Sequence, residues 1–143
     1  MQLRRTVTLK VVVTEKYQEE QIKALEDAIG QVEAARSQID FRSRIYLADL
    51  QRQDLSQAAE FRRRIEAEKQ RHQELREHLE GQLEEMRALN VGDEHTRGTL
   101  EGYVDLQVGD NFQEKMGGAE LILKDDVVVE FRERQPEPEL VVA

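Results

Sequence analysis

The sequence predicts an α+β protein: a long antiparallel helical hairpin, a coiled coil, projecting from a small antiparallel β-sheet or barrel-like module. Three observations predict it. Apolar residues alternate with period two at the start of the chain, recur at threes and fours through its middle, and alternate again after Val91.

The first element is a strand. Between Arg4 and Glu15, Val7, Leu9, Val11 and Val13 point one way, and Thr6, Thr8, Lys10, Val12 and Thr14 the other. The run is short, alternating and broken by Lys10, so it is not the continuous apolar core of a signal peptide.

From Gln18 the period changes. Ile22, Leu25, Ile29, Val32, Ile39, Tyr46 and Leu50 form a heptad seam in which Arg36 and Ser43 occupy two core positions. A second seam runs through Ala58, Phe61, Ile65, Glu68, His72, Leu75, Leu79, Gln82, Met86 and Leu89. Single polar core positions fix register at some cost in stability, so Arg36, Ser43, Glu68 and His72 read as a register layer. The sharper alternative for His72 is a pH-sensitive switch.

Between Leu50 and Ala58 the rhythm breaks. Asp54 followed by Gln57 has the form of a capping box, and Ser56 is a second candidate cap. Geometry adds the stronger argument. A continuous rod would separate Thr14 from Val91 by roughly 110 Å. The first strand needs partners for its backbone donors and acceptors, and the other strands lie only after Val91. The chain therefore turns back near Gln53–Ser56. Arg36 then lies level with His72 and Gln73, and one turn of slack brings it toward Glu68.

After the hairpin, Leu100, Gly102, Val104, Leu106 and Val108 share one face of a strand. Asp110 or Asn111 caps a short helical turn ending at Gly117. Ala119–Lys124 and Val127–Arg132 form a hairpin around Asp125-Asp126. The expected organisation is an N-terminal strand (1–15), a coiled-coil hairpin (16–92, tip near 53–56), a C-terminal β module (93–134) and a disordered, Pro- and Glu-rich tail (135–143).

Together, "RTVTLKVVVTE", the Gln/Glu/Arg-rich coil and "GYVDLQVGDNFQEKMGGAELILKDDVVVEFRE" resemble the YlqD-like family of small bacterial proteins. Asp126 stands where such proteins are expected to carry the Gly of a "KDG" turn. The resemblance implies a cytoplasmic protein without an assigned activity and supplies no catalytic residues. The family's gene context among ribosome-maturation genes hints at RNA or ribosome contact.

Chemistry-bearing motifs are sparse. The chain has no cysteine, which removes disulfides, thiol nucleophiles and Cys-based metal sites. Glu74 and His78 are four apart on an exposed face, a pairing that reads as a solvated contact rather than a metal site. His95 reads as a linker residue. "MGGAE" lacks the Lys-Ser/Thr of a phosphate-binding loop. No metal, cofactor, small-molecule substrate or catalytic group is expected, and no apolar run reaches the ~18 residues of a membrane span.

Charge is uneven. A net charge of −9 argues against bulk affinity for nucleic acid or anionic membrane. Yet residues 36–71 hold nine basic against six acidic side chains, while 15–35 hold two against six and 72–94 two against seven. A basic tip thus stands on acidic arms. Phe41 and Ile45, with Ala34 and Ala48, form a second apolar stripe facing away from the first seam. One inner face suffices for a two-helix hairpin, so this stripe needs another partner, most economically a second copy.

The expected function is therefore that of a cytoplasmic, non-enzymatic interaction protein, homo-oligomeric through Phe41 and Ile45, with a protein partner as the other occupant. The alternative is an RNA- or ribosome-associated factor using Arg42, Arg44, Arg62, Arg63 and Arg64, because guanidinium groups suit phosphate. The apolar C-terminal "ELVVA" is a further candidate segment for a partner or protease.

Overall fold

Alternation at the N-terminus gives strand β1 (Gln2–Val12), and the heptad region gives two long helices, α1 (Glu15–Gln53) and α2 (Leu55–Ala88). There follow β2 (Glu94–Asp105), a one-turn helix α3 (Phe112–Met116), β3 (Ala119–Lys124) and β4 (Val127–Glu133). This computed structural model describes residues 1–133, so the tail and its "ELVVA" lie outside the described residues. The chain divides into two compact units: Met1–Tyr17 with the chain from Leu89 onward, and Gln18–Ala88.

The first unit is built on a four-stranded sheet of order β2-β1-β3-β4. The sheet is mixed and open, which corrects the expectation of an antiparallel or barrel-like module. β1 pairs antiparallel with β2 (Val7 opposite Leu100) but parallel with β3 (Val7 opposite Ala119). The reason is the route of the chain. β2 occupies one edge of β1 and ends beside Met1, where the Leu106 N–H donates to the Met1 carbonyl at 2.7 Å. Residues 106–118 then cross to the other edge of β1, so β3 starts from the same end as β1 and runs with it. The outer strands β2 and β4 do not pair.

β2 begins at Glu94, earlier than alternation suggests. It is an edge strand whose first half is exposed, so burial imposes no period there. Val108, assigned by alternation to the strand, is exposed beyond its end. The pairing slips between Leu9 and Lys10, leaving Arg97 unpaired in β2. Its guanidinium lies 5.8 Å from the centre of the Tyr17 ring. His95 is no linker residue: it sits in β2, and its Nδ1 is 3.1 Å from the hydroxyl of buried Tyr17. Burial raises the Tyr17 pKa against the opposing effect of Arg97.

One face of the sheet buries Val7, Val11, Val104 and Ala119. Gly102 lies close against this face, where a Cβ would come within 3.1 Å of Val7 Cγ2. Arg5 shares this face and is buried as well. Its Nη1 donates to the Lys115 carbonyl at 2.9 Å, Nη2 lies 3.3 Å from Glu133, and the guanidinium sits 5.6 Å from the centre of the Phe131 ring. The opposite face carries a charge network across all four strands. Lys10 meets Glu120 at 3.1 Å, and Arg132 meets Glu94 at 2.6 Å and Glu130 at 2.9 Å. Hydrogen bonding from Arg132 lowers the Glu94 pKa.

The second unit is the antiparallel helical hairpin. A single residue, Asp54, interrupts the helices. Its side chain accepts from the N–H groups of Ser56 (3.0 Å) and Gln57 (3.2 Å), capping α2. Cross-helix contacts give the register: Arg36 Nη1 donates to Gln73 Oε1 at 2.7 Å, and Glu33 meets Arg76 at 2.9 Å. In the second seam the buried residues are Ala58, Leu83 and Met86. Leu83 replaces Gln82 as the core position, while Leu75 is exposed. The steps Leu79–Leu83–Met86 keep the three–four spacing and put a leucine inside instead of an amide.

Candidate interaction surface

The outward apolar stripe lies on the solvent side of α1. Phe41 is 69% exposed and Ile45 63% exposed. Seam residues Ile39, Ser43 and Leu50 occupy the opposite side of the same helix, which follows from 100° per residue. Ala34 and Ala48 are exposed in line with Phe41 and Ile45.

Inside the tip half, the polar seam residues produce a gap. Ser43 is buried, and its hydroxyl donates to the Asp40 carbonyl one turn back, at 3.1 Å. A serine cannot fill the space of a leucine at this level. The result is a groove of about 300 Å³ bordered by Ile39, Tyr46, Phe61 and Ile65, with Arg42 and Glu68 at its rim. Tyr46 and Phe61 close one end edge-to-face, with ring centroids 4.7 Å apart.

The other members of the expected register layer do not meet as a cluster. Arg36 bonds Gln73 rather than Glu68 or His72. His72 Nδ1 lies 2.9 Å from the carbonyl of Glu68 in its own helix.

A second device holds the register, and apolar periodicity alone does not reveal it. Glu26, Glu33 and Asp40 are heptad-spaced along one flank of the seam. They meet Arg87 (2.9 Å), Arg76 (2.9 Å) and Lys69 respectively. The hydrogen bond from Lys69 is the main cause that lowers the Asp40 pKa. The hydrogen bond that Arg76 donates to Glu80, and then the charge of Glu33, raise that of Arg76. Charges flanking a coiled-coil seam select partner and orientation, and three acids at seven-residue spacing were the available signal.

The basic side chains of the tip divide into two groups. Arg44 pairs with Asp40 at 3.2 Å and Arg64 with Glu60 at 2.9 Å. Arg42, Arg62 and Arg63 make no ion pair among the described residues. No group of three metal-ligating side chains occurs among the described residues. No described helix is long and apolar enough to cross a membrane.

A long antiparallel coiled-coil hairpin and a four-stranded, open, mixed sheet define an α+β protein with an unpartnered apolar stripe on its first helix. The chain belongs to the YlqD protein family, whose match spans residues 1–132. Its fold is also similar to a crystal structure of a protein of unknown function from Synechococcus sp. WH 8102. The TM-score is 0.80 at 22% identity, covering 93% of this chain and 95% of that one. No curated protein matches the sequence.

Proposed function

We propose that this protein is a non-enzymatic, cytoplasmic interaction protein that self-associates through the outer face of α1. The observation that carries this reading is the exposure of Phe41 and Ile45, two large apolar side chains one turn apart on the face turned away from α2. Burying a side chain of this kind contributes about 1.5–3 kcal/mol, so two from each copy supply a credible interface centre. The test is sedimentation velocity across a range of concentrations. The wild-type chain is expected to sediment as an oligomer and the Phe41→Ser/Ile45→Ser variant at monomer mass. An oligomer that survives both substitutions overturns the reading.

A second reading has its own support. Arg42, Arg62 and Arg63 have no carboxylate partner among the described residues, so their guanidinium groups are available to phosphate. In this reading the tip touches RNA or the ribosome. Binding to a mixed RNA pool then falls steeply with salt and is lost on Arg62→Glu/Arg63→Glu/Arg64→Glu. Binding that is absent or insensitive to salt removes it.

A further inference from the structure

The outer face of α1 has a polarity that bears on how a second copy sits. From the tip downward it presents Arg52, Ala48, Ile45 and Phe41, then Ala34, Gly30, Asp27 and Lys23, all exposed. The large apolar side chains thus lie in the upper half and the small ones below. Charge follows the same division. Residues 41–53 carry Arg42, Arg44 and Arg52 against Asp49, whereas residues 19–33 carry Glu19, Glu20, Glu26, Asp27 and Glu33 against Lys23. Arg42, Arg52, Asp49, Lys23, Glu19, Glu20 and Asp27 make no ion pair among the described residues. Gly30 stands in the middle of a 39-residue helix, where glycine is unfavourable, and a Cβ built on it meets nothing within 4 Å.

We infer that two copies pack through the outer faces of their α1 helices in antiparallel orientation, about a twofold axis at Ser37 and Gln38. This rests on the self-association reading above and specifies its geometry. In this register Phe41 lies against the partner's Ala34, and Ile45 against the partner's Gly30. Each large side chain finds a small one opposite. Arg52 falls opposite the partner's Lys23 but within one turn of the partner's Glu19 and Glu20, and Asp49 falls opposite the partner's Glu26 but within one turn of the partner's Lys23, so the charge match is one of basic half against acidic half. A parallel pairing places basic half on basic half and acidic on acidic. An antiparallel register centred on Ser43 sets Phe41 against the partner's Ile45 and arginines against arginines. Of these three arrangements, the register at Ser37/Gln38 is the one that sets large side chains against small ones and the basic half against the acidic half.

The chain has no cysteine, so single introduced thiols report the geometry cleanly. Ser37→Cys is expected to form a disulfide-linked dimer on mild oxidation. Asp27→Cys mixed with Ala48→Cys is expected to give the mixed disulfide, while Ala48→Cys alone forms no disulfide-linked dimer. A second variant, Gly30→Leu, fills open space on the single chain, so the hairpin gains thermal stability while dimer affinity falls tenfold or more. A dimer in which Ala48→Cys links to itself, or in which none of these thiols reacts, overturns the antiparallel geometry and leaves self-association standing. Monomer mass at every concentration overturns both.

Discussion

Arg5 brings a full positive charge into the apolar face of the sheet with only partial compensation. Its Nη1 and Nη2 have partners, but the buried Nε has none among the described residues. Its ion-pair partner Glu133 is half exposed, so losing the guanidinium does not strand a buried carboxylate. Replacing a buried ion by an apolar side chain of similar volume is often neutral or stabilising, whereas truncation opens a cavity. Arg5→Met is therefore expected to change stability by less than about 1.5 kcal/mol, and Arg5→Ala to cost about 2–4 kcal/mol, in urea unfolding. Equal losses would show that the charge, not the volume of the side chain, holds this corner. Asp40 tests the cross-helix ladder. Its pKa lies below its ordinary value chiefly because Lys69 hydrogen-bonds the carboxylate. A carboxyl group lowered in the folded state contributes stability that is complete above its unfolded pKa and lost as pH falls through the folded one. Lys69→Met should move the Asp40 titration, followed by side-chain NMR, back toward the ordinary range. The acid limb of helix loss should shift to higher pH with it. A titration unmoved by the substitution would exclude the ladder.

At the level of elements, the turns depend on single side chains. Thr14 serves two of them: its hydroxyl accepts from the Tyr17 N–H at 3.1 Å, capping α1, and donates to Asp125 Oδ1 at 2.8 Å in the β3–β4 turn. Thr14→Val keeps the shape and removes both bonds. It is expected to cost about 1–2 kcal/mol, while Thr14→Ser stays close to wild type. In the turn itself Asp125 and Asp126 both have positive φ, 48° and 65°, as a two-residue hairpin turn of the primed type requires. A side chain other than glycine is strained there, and the family resemblance points to glycine at the second position. Asp126→Gly, which spares the Thr14 contact, should stabilise the sheet unit by about 0.5–1 kcal/mol in urea unfolding. A destabilising result would mean that the Asp126 side chain makes a contact of its own.

For the molecule as a whole, the sequence was most legible where geometry leaves one solution. Two arms of near-equal length had to fold back for β1 to find its partners, and the Asp54 cap lies where the heptad rhythm breaks. Strand direction was not legible, because alternation looks the same in parallel and antiparallel pairs. Only the passage of residues 106–118 past the start of β1 decides it. The charge ladder was legible in principle through Glu26, Glu33 and Asp40, but a reading that follows apolar residues alone passes over it. The stripe of Phe41 and Ile45 was legible as an excess, since a two-helix hairpin has no inward place for it. In the self-association proposed above, the contact over that stripe governs how the protein melts. A partner that binds only the folded state makes the melting temperature depend on concentration. For two 143-residue chains unfolding together, a hundredfold rise in concentration should raise the midpoint by roughly 5 °C, followed through helical ellipticity. Phe41→Ser/Ile45→Ser should abolish this dependence, because its copies melt as monomers. Arg62→Glu/Arg63→Glu/Arg64→Glu should preserve it, because those side chains lie on α2 and not on the outer face of α1. A wild-type midpoint that is independent of concentration would mean that each chain folds alone, with the stripe left for a different protein.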